Sequence, residues 1–176
     1  MGTGADATGP QLTGWPRQIS WDEFSPRGSR PAGTDEDAQI SVQMNGSELK
    51  VVRENGRFRL GEGELPMILV SAQTWVIKGK QSAELLNHEQ GHFDIAGLFN
   101  RDIVKKLRKL RTRSTSRLAS EAKRIMEEGD RRADTLSKTY DSPAETDHGK
   151  NKERQKAWDD AIAESKASGK PLKRPS

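Results

Sequence analysis

The spacing of apolar positions changes once along this chain, near Ser82, and the change divides the molecule. Before it, apolar and polar residues alternate in short runs, the period of half-buried strands. QISWDEF (18–24) reads as one such strand, and SPRGSRPAGTDED (25–37) reads as a loop by its Pro, Gly and Asp content. AQISVQM, ELKVV and RFRL follow, divided by Asn45-Gly46 and Asn55-Gly56. Asn-Gly tolerates positive φ at both central positions of a type I′ turn, so these runs predict a three-stranded antiparallel meander. MILVSAQTWVI (67–77), β-branched and apolar, predicts a further strand.

After Ser82 the step becomes three or four. Leu85, His88, His92, Ala96, Phe99, Ile103, Leu107 and Leu110 form one stripe and predict a helix running to about Arg111. Leu118, Ala122, Ile125, Gly129, Ala133, Leu136 and Tyr140 form a second stripe of similar length. The short polar link RTRSTS predicts that the two helices fold back as an antiparallel hairpin. YDSPAETDHG (140–149) reads as a loop in which Thr146 or Asp147 caps a third helix, about Lys150 to Lys166, anchored by Trp158 and Ile162. The expected fold class is α+β: a small antiparallel sheet in the first half, packed with a long helix, its antiparallel partner and a short terminal helix.

Composition narrows the picture. Of 176 residues 31% are hydrophobic and 32% charged, which fits one modest core with loose ends. The expected organisation is a single domain over 15–166 between disordered tails at 1–14 and 167–176. The chain has no cysteine, so disulfides and thiolate metal sites are excluded, and any transition-metal site must use His, Asp, Glu or Tyr. The net charge of +4 is concentrated in KKLRKLRTRSTSR and the terminal GKPLKRPS. Basic runs of this kind are usually solvated helix faces, so a nucleic-acid partner is disfavoured. No run is long enough to span a bilayer, and no basic segment followed by an apolar one opens the chain as given, which fits a cytoplasmic protein, a mature form with its signal removed, or export by another route. Oligomeric state leaves no mark in the sequence.

Chemistry concentrates at His88-Glu89-Gln90-Gly91-His92, which fits H-E-x-x-H. On a helix the two histidines stand about 40° apart on one face, so both imidazoles can reach one ion, with Glu89 beside them. Both lie on the stripe that must be buried, where an unpaired imidazole costs about 1–3 kcal/mol. Core histidines bonded to backbone are the bland alternative; one zinc ion satisfies both rings at once. A catalytic zinc takes three protein ligands and a water. The remaining histidine, His148, is the expected third, because the hairpin sets His88 beside Lys138 and brings the following loop to the HExxH turn. Asp141, Glu145 and Asp147 are the carboxylate alternatives. Glu89 is the expected general base, and Tyr140 either donates to a developing oxyanion or closes the second stripe as a core residue.

The segments ISWDEF, TWVIKGKQSAELLNHEQGHFDIAGLFNRDI and TYDSPAETDHGKNKERQKAWDDAI, covering roughly Ile19 to Ile162, resemble the bacterial domain-of-unknown-function family numbered 922, described as predicted secreted zinc-dependent proteases. HEQGHFDIA is the most specific element; T-x-H-G followed by a glutamine and a tryptophan supports it. The resemblance implies a zincin-like zinc metallopeptidase acting on peptides or proteins, with His88 and His92 as ligands, Glu89 catalytic, His148 as third ligand, and export from the cytoplasm. In zincins, which the site is similar to, a sheet edge strand holds the substrate; MILVSAQTWVI is the candidate. The competing expectation is a zinc-stabilised module without catalysis, contacting nucleic acid or an acidic partner through the basic hairpin tip.

Overall fold

The computed structural model describes residues 9–46 and 49–176. Eight strands precede three helices: β1 (Pro10–Thr13), β2 (Ser25–Arg27), β3 (Ala38–Gln39), β4 (Val42–Met44), β5 (Val51–Glu54), β6 (Arg57–Leu60), β7 (Gly63–Leu69), β8 (Trp75–Ile77), then α1 (Ala83–Lys109), α2 (Thr115–Asp141) and α3 (Lys152–Ser168). The α+β class is as expected. The strands form two small mixed sheets, ordered β1-β7-β4 and β2-β8-β3, and a separate β5-β6 hairpin, rather than one antiparallel sheet. β1 runs parallel to β7 and β2 parallel to β8, while β4 and β3 are antiparallel to those same strands.

The helices start where their caps say. Ser82 and Ser114 accept hydrogen bonds from the backbone N–H of Leu85 and Arg117, which satisfies donors that the first turn leaves free. Thirteen of the residues of α1 are buried, against three of α2, so α1 is the central helix on which everything else packs. Phe93 enters the core shared with Ile19, Phe24, Met67 and Val76 of the sheet side. Ile103, Val104 and Leu107 meet Leu60, Leu65 and Leu118. Ile95 and Leu98 meet Tyr140, Trp158 and Ile162. Fully burying each large side chain of these clusters contributes about 1.5–3 kcal/mol. Gly129 admits Ile103 where a Cβ would collide with it, so α1 and α2 approach closely at this level.

Several expectations are corrected. QISWDEF is no strand: Ser20 caps a 3-10 turn at Trp21–Glu23, the Glu23 carboxylate accepts from the Ser20 N–H at 3.0 Å, and the Ile19 N–H donates to Gln90 Oε1 at 2.9 Å. Side chains claim the backbone donors that a ladder would need. Of the meander, only the β5-β6 hairpin forms, turning at Asn55 and Gly56 with φ of 50° and 75°. β4 pairs with β7 instead of β5, because β7 offers buried Leu65 and Met67 while β5 has no buried residue. The turn expected at Asn45-Gly46 runs into residues 47–48, outside those described. MILVSAQTWVI breaks at a 3-10 turn over Ser71–Gln73 into the end of β7 and β8, each the central strand of its sheet. With neighbours on both sides, neither has a free edge for a substrate strand. The edge strands are β1 and β4 in one sheet and β2 and β3 in the other.

The tails differ too. Residues 1–8 lie outside those described, but Pro10–Thr13, expected to be disordered, is strand β1, and Arg108 donates to the Pro10 carbonyl at 2.7 Å. α3 is capped by Asn151 rather than by Thr146 or Asp147, and extends two residues past Lys166 to Ser168, after which Gly169, with a φ of 69°, turns the chain. The segment 169–176, also expected to be disordered, is seated on the helices. Arg101 and Lys105 donate to the carbonyls of Lys170 and Gly169, both at 2.8 Å, Leu172 packs against the cluster of Ile95, Leu98, Tyr140, Trp158 and Ile162, and Arg174 pairs with buried Glu145. Its basic residues find backbone carbonyls and a buried carboxylate, contacts that composition does not reveal. No helix among the described residues is long and apolar enough to cross a membrane.

Candidate metal centre

The hairpin brings the HExxH turn of α1 against the last turn of α2. Antiparallel packing sets His92 beside Ser137, with Nδ1 2.6 Å from Oγ, and His88 beside Asp141 rather than Lys138, one helical turn further along. The Nε2 atoms of His88 and His92 lie 2.9 and 2.8 Å from the same oxygen, Oδ1 of Asp141. His148 Nδ1 stands 3.7 Å from that oxygen and 3.6 Å from Glu36 Oε1. Among the described residues two overlapping groups could hold a metal ion: His88, His92 and Asp141, and, sharing Asp141, Glu36, Asp141 and His148. All three histidines of the chain therefore gather around one carboxylate. Of the alternatives to His148, Asp141 stands closest to the helix histidines. Glu145 is committed elsewhere, to Arg154, Trp158 and Arg174.

Hydrogen bonding fixes which nitrogen of His88 faces the centre. Gln155 Nε2 donates to the Asp159 carboxylate at 2.8 Å and to the Tyr140 hydroxyl at 2.7 Å, so its Oε1 must face His88 Nδ1, 3.1 Å away, and accept from it. Asn87 donates to the other oxygen of Asp159 at 2.9 Å. A neutral His88 then carries its proton on Nδ1 and aims the Nε2 lone pair at Asp141 Oδ1. A lone pair against a carboxylate oxygen repels unless a proton or cation lies between them. An imidazole anchored through its second nitrogen, a neighbouring imidazole and a carboxylate aimed at one spot are a ligand set of the kind zinc takes, so the residues fit the ion.

Glu89 sits beside this group, 3% exposed, and its Oε2 has no hydrogen-bond partner. Burial pushes its carboxyl up to about 8; His88 opposes the shift, while Asp141, Glu36 and a hydrogen bond from the Ile40 backbone add smaller effects of either sign. Burial also acts to raise Asp141, but the His88 and His92 rings, which donate to it only when protonated, outweigh this and hold that carboxyl well below the usual range. A cleft of about 270 Å³ opens onto the centre, walled by residues 35–40 along β3 and by Asp134, Ser137 and Lys138 of α2.

Tyr140 belongs to the core. Its hydroxyl donates to the His88 carbonyl at 3.1 Å, its ring stacks on His88 at 4.7 Å, and it is fully buried outside the cleft. Burial raises its pKa, so the phenol stays neutral. Its hydroxyl is thus spent on α1, and the oxyanion-donor expectation is corrected. Gly91 makes the contact possible, because a Cβ there would meet the Tyr140 hydroxyl. The other residues of the motif are equally committed: Gln90 donates to the Arg17 carbonyl at 3.1 Å, and Asp94 accepts from Trp15 and Lys166 at 2.9 and 2.7 Å.

Sequence reasoning missed Glu36, Ser137 and Asp159 at this centre. Glu36 lay in a segment read only as a loop by its Pro, Gly and Asp content, and Ser137, a polar residue, was not counted in the second apolar stripe. Gln155 stood in the motif after T-x-H-G without a role; its role is to orient His88.

No curated protein and no solved structure matches this chain. Residues 72–149, the stretch that carries the HExxH motif, Tyr140, Asp141 and His148, match the family model described as bacterial protein of unknown function (DUF922).

Proposed function

We propose that this protein is a zinc-dependent peptidase in which His88, His92 and Asp141 hold the ion, His148 flanks them at the cleft, and Glu89 is the general base. The observation that carries the reading is the convergence of both HExxH Nε2 atoms on Asp141 Oδ1 beside a buried carboxylate with a free oxygen. A bound zinc ion supplies an acidified water and an electrophile for the scissile carbonyl.

The chain's own groups do the rest. Glu89 Oε2, unpartnered and adjacent, takes a proton from the attacking water and returns it to the leaving amine. A pKa near 8 for the ion-free carboxyl falls when a cation binds beside it, so the base is anionic when the centre is loaded. The chain Asn87–Asp159–Gln155 holds His88 in one tautomer. His148, partly exposed in the cleft, is placed to donate toward charge developing on substrate, the part Tyr140 cannot play.

The test compares wild type with Glu89→Gln for metal content and for turnover of a mixed fluorogenic peptide library. About one zinc per chain in both, with turnover only in wild type, supports the reading. Zinc in both with no turnover in either leaves a metal-stabilised module. Folded protein that refuses zinc sinks both.

A further inference from the structure

The cleft does not end at the metal centre. Beyond His92 it continues as a trough of about 470 Å³, walled on one side by residues 40–44 along β4 and on the other by Asp130, Ala133, Asp134 and Ser137 of α2. Ile40, His92, Asp134 and Ser137 border both parts, so the passage is continuous. Its floor is the α1 face that carries His92, Ala96 and Asn100.

Two features of the far end point to a ligand. Asn100 is 6% exposed, yet its side-chain amide has no hydrogen-bond partner among the described residues. The little exposure that Asn100 keeps is toward the trough, so a ligand seated there can pair with its amide. Asp130 faces Asn100 from α2 and makes no ion pair, whereas Asp134 is neutralised by Lys138 at 2.7 Å. No lysine or arginine lines this part of the passage, and partial burial together with Glu127 raises the Asp130 carboxyl above its ordinary value. A carboxylate without an ion pair and an amide oxygen open to the same trough suit the cationic head of a lysine or arginine side chain, since both groups accept its N–H donors.

We infer that the trough end between Asn100 and Asp130 binds a lysine or arginine side chain of the substrate peptide, a few residues from the bond that is cut. The inference rests on the peptidase reading for the word substrate, but the site itself does not depend on turnover. It also accounts for an acidic passage in a chain whose net charge is +4.

The experiment uses zinc-loaded full-length Glu89→Gln and fluorescein-labelled decapeptides of Ala, Ser and Gly that carry one Arg, norleucine or Glu at each position in turn. Anisotropy should show Arg favoured over norleucine by about 10-fold at one position and Glu rejected, with the preference weakening in salt. Adding Asp130→Asn, which removes the charge and keeps the side-chain shape, should erase the preference. Equal affinity for Arg and norleucine peptides, or a preference that survives Asp130→Asn, overturns the inference. Cleavage by wild type without any basic preference would sink this site and leave the peptidase standing. Asp130-dependent binding of Arg peptides, with no cleavage by wild type, would keep the site and sink the peptidase.

Discussion

His88 Nε2 lies 2.9 Å from Oδ1 of Asp141, fifty-three positions later in the chain, and the same oxygen takes His92 Nε2 at 2.8 Å. The contact joins the second turn of α1 to the last residue of α2, so the hairpin and the metal centre are one construction. Metal affinity should then depend on Asp141 as strongly as on the helix histidines. Asp141→Ala should lose zinc to the extent that His88→Ala does, while His148→Ala should weaken retention less. Competition with a chromophoric chelator reads the order directly. Loss of zinc in His148→Ala with retention in Asp141→Ala would make His148 the ligand and Asp141 its neighbour.

Gln155 touches no ion in this arrangement, yet it dictates the His88 tautomer. Gln155→Leu should lower zinc affinity by about 10–100-fold, the usual cost of losing the partner of a ligating histidine. Gln155→Glu, which can still accept from Nδ1–H, should recover most of it. A leucine variant that binds zinc like wild type would show that His88 is oriented by its stacking on Tyr140 alone.

Gly91 stands where the Tyr140 hydroxyl meets α1. Gly91→Ala gains helix propensity of about 1 kcal/mol but must push the phenol off the helix. Overpacking in a close-packed core costs about 1–3 kcal/mol, so the net effect should be a lower melting temperature, and Tyr140→Phe in the same chain should relieve part of the loss. Unchanged melting would mean that α2 can shift away at no cost.

Glu145 is the pH-sensitive clasp of the C-terminal segment. Its side chain is 1% exposed; burial acts to raise its pKa, but Arg154, Trp158 and Arg174 outweigh this and hold it below the ordinary value. A depressed folded-state pKa gives stability that is present above the unfolded value of 4.5 and is lost as pH falls through the folded one. Wild type should therefore keep the segment docked near neutrality and release it only below about pH 4.5. Glu145→Gln should be less stable by about 1–3 kcal/mol at pH 7, the worth of the charged hydrogen bonds removed, with the gap closing in acid. Hydrogen exchange at Lys170 and Leu172 would report the release; a constant gap across pH would show that charge at Glu145 is immaterial.

The helical half was legible because its cause is local. Stripes of period 3.6, serines at the two N-caps and a short polar link determine α1, α2 and their reversal, and i and i+4 spacing determines that His88 and His92 share a face. From the reversal followed the neighbourhood of the third ligand, though an uncertainty of one turn in the hairpin decided whether Lys138 or Asp141 would face His88. The sheets were less legible, since pairing is decided between distant segments. β4 reads as a partner for β5, but β7 buries more apolar surface, and β1 and β2 add parallel to strands more than forty residues away.

Side-chain allegiance was decided by tertiary structure alone. Tyr140 and Asp141 are adjacent in sequence, and α2 turns one into the core beneath His88 and the other toward the metal centre. Glu89 is a solvated carboxylate in any isolated helix; only its burial between β3, α1 and α2 leaves one oxygen bare and its pKa raised. The sequence by itself determined which groups could do the chemistry, because spacing on a helix is local geometry. Their contacts and charge states were set by packing, because desolvation and hydrogen bonding depend on what the rest of the chain lays against them.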